Sequence, residues 1–217
     1  MWAAKVIAIT EAFKTLAEVE ARFELSHRED AAFFPEWRES LPSLSASEQD
    51  RLRVIRQRLL YHRADGDLLE GPVMLLAASP LLELAEFYDP PFRLRAEAAV
   101  EISVDDGEEV LRGRIDALIL QQNFWALVLE AKKTTISARS ALPQALAYMM
   151  ANTQAEFPTF GVMTNEMTNE DDVLFVKLST RPRNQYGLSR VFSLYTLPEE
   201  TQSVLQILKQ IGRTIAQ

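Results

Sequence analysis

Residues 109–133 read EVLRGRIDALILQQNFWALVLEAKK, and their pattern of apolar residues indicates two neighbouring strands of a sheet. Two apolar runs of strand length flank the short connection 121–124, a pattern typical of an antiparallel hairpin. The preceding run 92–104 (FRLRAEAAVEISV) alternates towards its end and is followed by DDG at 105–107, a turn signal. The stretch 94–133 therefore predicts a three-stranded antiparallel meander.

Helices and further strands are predicted on both sides of this meander. Apolar residues at helical spacing predict helices at 4–24, 48–62, 71–88 (kinked or restarted at Pro80), 140–151 and 198–216. Further strands are predicted at 159–164, 172–178 and 190–196. This order indicates an α/β or α+β protein built around one mixed sheet. We divide the chain into a helical extension, 1–65, packed on a core of 66–217.

Composition excludes several classes of site. The chain has 217 residues, with 23 Lys and Arg against 31 Asp and Glu, and its formal charge is −8. It contains no cysteine, which excludes disulfides, thiolate zinc sites and cysteine nucleophiles. None of its seven glycines has the spacing of a dinucleotide- or phosphate-binding loop. Because proteins that coat nucleic acid nonspecifically are usually basic, the acidic charge argues against that class.

The sequence lacks the patterns of exported and membrane proteins. Its beginning is interrupted by Lys5, Glu11 and Lys14 and has no signal-peptide cleavage pattern. No stretch reaches about 18 uninterrupted apolar residues, so no membrane-spanning helix is expected. We therefore expect a cytoplasmic protein without membrane association.

Three charged residues of the hairpin have apolar neighbours. Asp116 lies within RIDALIL, and Glu130 and Lys132 lie within ALVLEAKK. Charged side chains are rarely placed in such strands without a partner or a metal. Glu130 and Lys132 share a strand face because they are two residues apart, and Asp116 lies across the hairpin from them. Two carboxylates and an ammonium can therefore converge on one patch of the sheet.

This combination suits Mg²⁺ or Mn²⁺, hard cations that keep several waters and accept phosphate oxygens. Such a metal polarises a phosphodiester and lowers the pKa of a bound water, and a lysine beside it can orient that water or offset developing charge. The chemistry indicated is hydrolysis of a phosphate ester. The alternative is an ion pair that braces two strands, since structural ion-pair networks also occur in sheets.

The same residues resemble a known family. Asp116, followed by EAK at 130–132 on the next strand, is similar to the D…(D/E)-x-K signature of the PD-(D/E)XK nuclease superfamily. Gln144 and Tyr148 on the following helix are four apart and lie on one face, which resembles the Q-x-x-x-Y extension of type I restriction enzyme R subunits and RecB-like nucleases. The match spans about 70–165 and looks especially like the R-subunit nuclease domain, including small stand-alone cyanobacterial relatives.

The resemblance implies a restriction-endonuclease-like mixed sheet flanked by helices and a Mg²⁺- or Mn²⁺-dependent endodeoxyribonuclease activity. In that family pattern, Asp116 and Glu130 would be metal ligands and Lys132 the catalytic lysine. Gln144 and Tyr148 would position the DNA backbone or support the site.

The superfamily also places an acidic residue on the helix before the sheet. Glu70 is the best match and would be a further metal ligand, with Glu83 and Glu97 as weaker candidates. The alternative reading of Glu70 is a charge at a helix N-terminus that is favoured by the helix dipole.

Two departures from the family bear on partners. Arg114 and Ile115 precede Asp116 where the superfamily's name implies a proline, and the sequence has no Walker loop for the translocase that full-length R subunits carry. Expected partners are therefore DNA and other restriction-modification subunits, with a homodimer also open. The alternative function is a non-catalytic DNA-binding or assembly module that keeps the nuclease fold. Cleavage specificity and the biological substrate stay open.

Two local groups of basic residues offset the acidic charge. The stretch 180–190 (TRPRNQYGLSR) combines three arginines with Tyr186, and we predict that it touches phosphates; a solvated loop is the alternative. Arg112 and Arg114, close to Asp116, could face DNA or neutralise the acidic site.

Overall fold

The structure is a computed structural model. It describes residues 5–66, 68, 70–104, 109–121, 124–132, 141–152, 157–165 and 172–216. The side chains at 70, 104, 124, 126–132, 165 and 172 lie outside the description, as does the predicted turn at 105–107.

The described residues form eight strands, seven α-helices and two short helical turns. The strands are β1 (Lys5–Ala8), β2 (Ser26–His27), β3 (Phe92–Val104), β4 (Glu109–Gln121), β5 (Phe124–Lys132), β6 (Thr159–Asn165), β7 (Asp172–Ser179) and β8 (Gln185–Ser193). The helices are α1 (Ile9–Ala12), α2 (Leu16–Phe23), α3 (Ala46–Arg63), α4 (Glu70–Val73), α5 (Ser79–Leu84), α6 (Leu142–Met150) and α7 (Pro198–Ala216). Pro35–Trp37 forms a 3-10 turn and Met74–Ala78 a π turn.

All eight strands belong to one mixed sheet with the order β1-β4-β5-β6-β7-β8-β2, and β3 pairs with β4 outside this path. The pairs β3–β4 and β4–β5 are antiparallel, which confirms the predicted meander. β5 and β6 are parallel, and α6 connects them, because a parallel pair needs a crossover and not a hairpin. The predicted mixed α/β class is confirmed.

Helices cover both faces of the sheet. On one side, here called the α6 face, α1, α2 and α6 enclose a core that includes Ile9 and Leu146. On the other side, the α7 face, α3, α5 and α7 enclose a second core that includes Leu59 and Leu205. The arrangement is three layers with the sheet in the middle. No helix in the described part of the chain is long and apolar enough to cross a membrane.

The N-terminal segment differs from the prediction. A helix was expected over 4–24, but the structure has β1 followed by α1 and α2, and β2 follows at Ser26–His27. β1 pairs in parallel with β4, and β2 pairs in parallel with β8. The segment 1–65, predicted as helical, therefore supplies two strands to the sheet. Their partners lie more than a hundred residues away, so local spacing could not reveal the pairing.

Two other boundaries are corrected. A strand was predicted at 190–196, but β8 begins at Gln185 and ends at Ser193. Its pairing with β7 extends back to Gln185, which lies opposite Ser179. The kink expected at Pro80 lies just before it, as the π turn between α4 and α5. Neither change moves the meander.

α3 begins with a capping box that is joined to α7. Ser45 Oγ accepts a hydrogen bond from the Glu48 backbone N–H at 3.2 Å, and Glu48 Oε2 accepts from the Ser45 N–H at 2.6 Å. The other carboxylate oxygen of Glu48 accepts from Lys209 Nζ on α7. Burial alone would raise the pKa of Glu48, but the hydrogen bonds from Lys209 and Ser45 outweigh it and hold the pKa at about 2, against an ordinary value of 4.5.

We expect this carboxylate to make the protein acid-sensitive. Because the pKa of Glu48 is lower in the folded than in the unfolded chain, its contribution is complete above about pH 4.5 and is lost as the pH falls towards 2. Wild type should lose roughly 2–3 kcal/mol more unfolding free energy over this interval than Glu48→Gln, measured by urea unfolding at a series of pH values. Glu18→Gln is the matched control, since Glu18 is the acid of the exposed capping box of α2. Parallel pH curves for wild type and Glu48→Gln would contradict the assignment.

Candidate active site

The neighbours of β4 change along its length, and Asp116 lies where they change. On one side β4 pairs with β3 over Glu109–Gln121. On its other side it pairs first with β1, as far as Arg112, and then with β5, from Ala117 onwards. Among the described residues, 113–116 of β4 pair with neither strand on that side. The sheet is therefore split between β1 and β5, and we call residues 113–116 of β4 the fork. Asp116 is the last residue of the fork before the pairing with β5 begins.

The register brings the two predicted carboxylate positions together. Ala117 pairs with Leu129, so Asp116 and Glu130 occupy the next positions along two neighbouring strands. Opposite residues at such positions have Cβ atoms about 4.5–5.5 Å apart where the ladder continues. Asp116 is half-buried. The side chain of Glu130 lies outside the description, so their separation stays a prediction.

The positions of Glu130 and Lys132 are fixed by the neighbouring strand. Glu130 pairs with Met163 of β6, and Lys132 pairs with Asn165. Met163 is fully buried in the core of the α6 face. Because opposite residues in a sheet lie on the same face, the backbone assigns positions 130 and 132 to the face that α6 covers.

β4 and β3 are both irregular at this point. Ile115 and Leu118 both belong to the core of the α6 face, whereas Ala117 belongs to the core of the α7 face. Regular alternation is therefore interrupted next to Asp116. On β3, Glu97 lies opposite Asp116 and has a φ of 49°. Such a conformation is costly for a non-glycine residue and is often found at functional sites.

α6 packs closely on the fork through Tyr148. The ring of Tyr148 is 2% exposed, and a Cβ placed on Gly113 would lie 2.4 Å from its Cε1 and 2.8 Å from its hydroxyl oxygen. Only glycine therefore lets the ring lie against this backbone. At Gly161 of β6, a Cβ would lie 2.6 Å from Cγ1 of Val176 on β7 and 3.0 Å from the sulfur of Met149, so α6 lies close to β6 as well. The two contacts fix the distance of α6 from the strands that carry the site.

The side-chain amide of Gln144 has a buried oxygen without a hydrogen-bond partner. It lies in the first turn of α6 and is 9% exposed. Its Oε1 is buried and accepts no hydrogen bond in the structure as described. Leaving such an acceptor unsatisfied costs about 1–3 kcal/mol, so the group is suited to receive a donor that belongs to a ligand or to a water.

The three candidates for the further carboxylate are placed differently. Glu70 is the first residue of α4, and its side chain lies outside the description. Glu83 is exposed on α5 and forms an ion pair with Arg51 at 3.3 Å. Glu97 forms an exposed ion pair with Arg114 at 3.1 Å. Of the two described candidates, only Glu97 is next to Asp116 in the sheet. A three-residue turn at 105–107 would place Ala96 opposite Asp116, whereas the observed pairing of Val104 with Glu109 shifts this position to Glu97.

The donor set is composed of oxygens. Asp116 and the Gln144 amide are described, and position 130 adds a second carboxylate; ligands of this kind suit Mg²⁺ and Mn²⁺. Among the residues whose side chains are described, no three histidine, aspartate or glutamate residues are grouped as metal ligands. Glu70 and Glu130 are not among these residues.

The basic residues are partly engaged. Arg112 forms an ion pair with Glu101 at 2.8 Å. This pair and the pair of Arg114 with Glu97 are both exposed on the surface of the β3–β4 pair. In the stretch 180–190, Tyr186 is 1% exposed and donates a hydrogen bond to the Glu20 carboxylate at 2.6 Å. Burial, together with this carboxylate, raises the pKa of Tyr186 above its ordinary value. The aromatic residue predicted to accompany the arginines is thus part of the core.

Comparison with known proteins identifies no family for the chain. No protein-family model matches the chain, and no curated protein matches it.

Proposed function

We propose that the chain is a metal-dependent DNA endonuclease of the PD-(D/E)XK kind, related to the nuclease domains of type I restriction R subunits. The observation that carries the proposal is the fork of β4, where Asp116 and Glu130 are the next positions after the pair Ala117–Leu129 on two neighbouring strands. The mixed sheet with helices on both faces is consistent with a nuclease core, although this architecture alone does not define a function.

Asp116 and Glu130 would hold Mg²⁺ or Mn²⁺, with Glu70 as a further ligand. When bound, the ion supplies a Lewis acid for the phosphoryl oxygen and lowers the pKa of a coordinated water. The residues of the chain bind and orient the groups around it. Lys132, two positions after Glu130 on β5, would donate a hydrogen bond to the attacking water or to the phosphate oxygen that gains charge.

Gln144 and Tyr148 act from α6. The unsatisfied Oε1 of Gln144 can accept a hydrogen bond from a water or a ligand donor. Tyr148 is packed against Gly113, so its role is to fix α6 against β4 and to limit the movement of Gln144. Such positioning makes the arrangement rigid before the substrate arrives, which lowers the cost of binding.

The formal charge of −8 restricts how DNA can be held. A DNA-facing surface must be a local group of arginines, because the net charge of the protein repels phosphates. Affinity for bare DNA is expected to be modest and to fall steeply with salt. Another restriction-modification subunit that holds the DNA would remove this limit.

The proposal is tested with supercoiled plasmid incubated with the purified protein in Mg²⁺, Mn²⁺ or EDTA. We expect conversion to open circles with either metal and none in EDTA. Binding of the plasmid without cleavage in either metal would reject the nuclease and would instead support the non-catalytic DNA-binding module.

A further inference from the structure

The segment 28–41 lies over β8, at the opposite end of the sheet from the fork. Its fit is close, because a Cβ on Gly187 would lie 2.7 Å from the Phe33 ring. Glu36, in the 3-10 turn, is 6% exposed and forms an ion pair with Lys177 Nζ at 2.6 Å. Breaking a buried pair by removing one partner is strongly destabilising, so this pair holds the turn firmly on the sheet.

Two arginines, one next to the anchored turn and one on β8, lie against aromatic rings. The guanidinium of Arg38 lies 4.1 Å from the centre of the Trp37 ring. On β8, the guanidinium of Arg190 lies 4.0 Å from the centre of the Phe192 ring. The two rings meet edge to face at 6.4 Å. We call Trp37, Arg38, Arg190 and Phe192 the arginine groove.

Two open hollows lie along the arginine groove. A hollow of about 450 Å³ lies between Arg38, Arg190 and Ser203. A second hollow of about 300 Å³ extends from Trp37 and Arg38 towards Arg28. Small-molecule pockets are commonly about 300–1,000 Å³. The two hollows meet at Trp37 and Arg38, so a chain of linked units can occupy both.

The charges around the two hollows balance, because Arg28, Arg38 and Arg190 are matched in number by Glu29, Asp30 and Glu200. Arg190 is paired with Glu200 through two hydrogen bonds, at 2.8 and 2.9 Å. In the second hollow, Arg28 is paired with Asp30 at 2.6 Å, and the exposed Glu29 lies nearby. Arg38 is exposed and forms no ion pair with any described residue. One guanidinium is therefore available to bind an anion.

We propose that the arginine groove binds single-stranded nucleic acid. A guanidinium binds phosphate oxygens through its planar fork of donors, and bases stack on aromatic rings and on guanidinium planes. The two arginines of the groove offer stacking surfaces, and Arg38 also offers a phosphate contact. A duplex hides its base faces, so it cannot use these surfaces.

The groove is separate from the proposed active site. β4 and β8 are four strand positions apart in the sheet, which corresponds to roughly 19 Å at the usual spacing. Binding at the groove does not require metal or Asp116. Binding at the arginine groove can therefore be tested independently of nuclease activity.

The test is fluorescence anisotropy with a labelled oligothymidylate of about 12 nucleotides, in EDTA so that cleavage is excluded. Arg38→Gln should weaken binding at least about fivefold, since stacking of one base contributes that much or more. It should also reduce the slope of log affinity against log salt by about 0.7, the value for one phosphate contact on a single strand. Arg53→Gln is the matched control: Arg53 is exposed on α3 and forms an ion pair with Asp50, and its removal should change affinity less than about twofold.

Equal loss of affinity in Arg38→Gln and Arg53→Gln would overturn the proposal, because binding would then depend only on total charge. The same holds if wild type fails to bind at about 1 mM protein, which is weaker than ordinary nonspecific binding. Tighter binding of a duplex of the same length would overturn the assignment to single strands. Since Arg38 is exposed, none of these outcomes depends on loss of folding, which thermal unfolding of both variants checks.

Discussion

Asp116→Asn is expected to abolish metal-dependent cleavage of plasmid while leaving the fold intact. Asparagine has nearly the same size as aspartate, but it removes the negative charge that would hold a divalent cation at the fork. Charge stabilisation by such an ion is worth several kcal/mol, and each 1.4 kcal/mol corresponds to about tenfold in rate. We therefore expect a loss of roughly a hundredfold or more in the nicking rate, measured with Mg²⁺ and Mn²⁺.

The matched control is Asp50→Asn, which makes the same chemical change at an exposed residue of α3. Its nicking rate should equal that of wild type. If Asp116→Asn nicks as fast as wild type and Asp50→Asn, the activity belongs to a contaminant or to another part of the chain. Lys132→Ala should resemble Asp116→Asn, because both residues are assigned to the same site.

Gly113→Ala is expected to destabilise the protein. The new Cβ would lie 2.4 Å from Cε1 of Tyr148, and the ring, at 2% exposure, is enclosed by the core. Overpacking of this kind costs about 1–3 kcal/mol and occasionally more. We expect a loss of about 2–3 kcal/mol in unfolding free energy by urea titration, together with slower cleavage, because α6 must move away from the fork.

Gly71→Ala is the matched control for that experiment. No atom lies within 4 Å of a Cβ at Gly71, and its φ is not positive. Because alanine favours the helical conformation of α4, this variant should be as stable as wild type or more stable by up to about 1 kcal/mol. A Gly113→Ala protein as stable as Gly71→Ala would mean that Tyr148 adapts freely and does not fix α6.

A second check uses the ring itself. In a double-mutant cycle, Gly113→Ala should cost much less in a Tyr148→Ala background, because the clash has been removed. Additive losses would show that the strain at Gly113 arises elsewhere.

The meander was predictable because each of its signals is local. The DDG signal at 105–107 and the short connection at 121–124 predict three neighbouring antiparallel strands, and these strand pairs are confirmed. The position of Asp116 beside Glu130 depends also on a register shift between Ile119 and Leu120, which these signals do not reveal. β1 and β2 were not predictable in this way. Each is a short segment whose only strand partner is far away in the sequence, and single-sequence periodicity carries no information on such pairing.

The candidate site was predictable to a similar degree. The spacing of Gln144 and Tyr148 implied one helix face, and both side chains are buried in α6. The close approach of Tyr148 to Gly113 depends on how the helix packs on the sheet, which spacing along the helix cannot reveal. Glu97 was ranked low because the family pattern looks for an acid on a helix, whereas this residue lies opposite Asp116 on β3.

The order in which the sheet can be completed follows from the positions of β1 and β2. β1 must wait for residues 109–112 of β4, and β2 must wait for the start of β8 at Gln185. During synthesis, Ile9 and Phe13, which are buried in the finished protein, have no strand partner to cover them until most of the chain has been made. Contacts of such long sequence separation slow folding and expose apolar surface to aggregation meanwhile. β1 and β2 are made before their partners and join the sheet late. Production of the protein therefore depends on how well this part of the chain is protected until then.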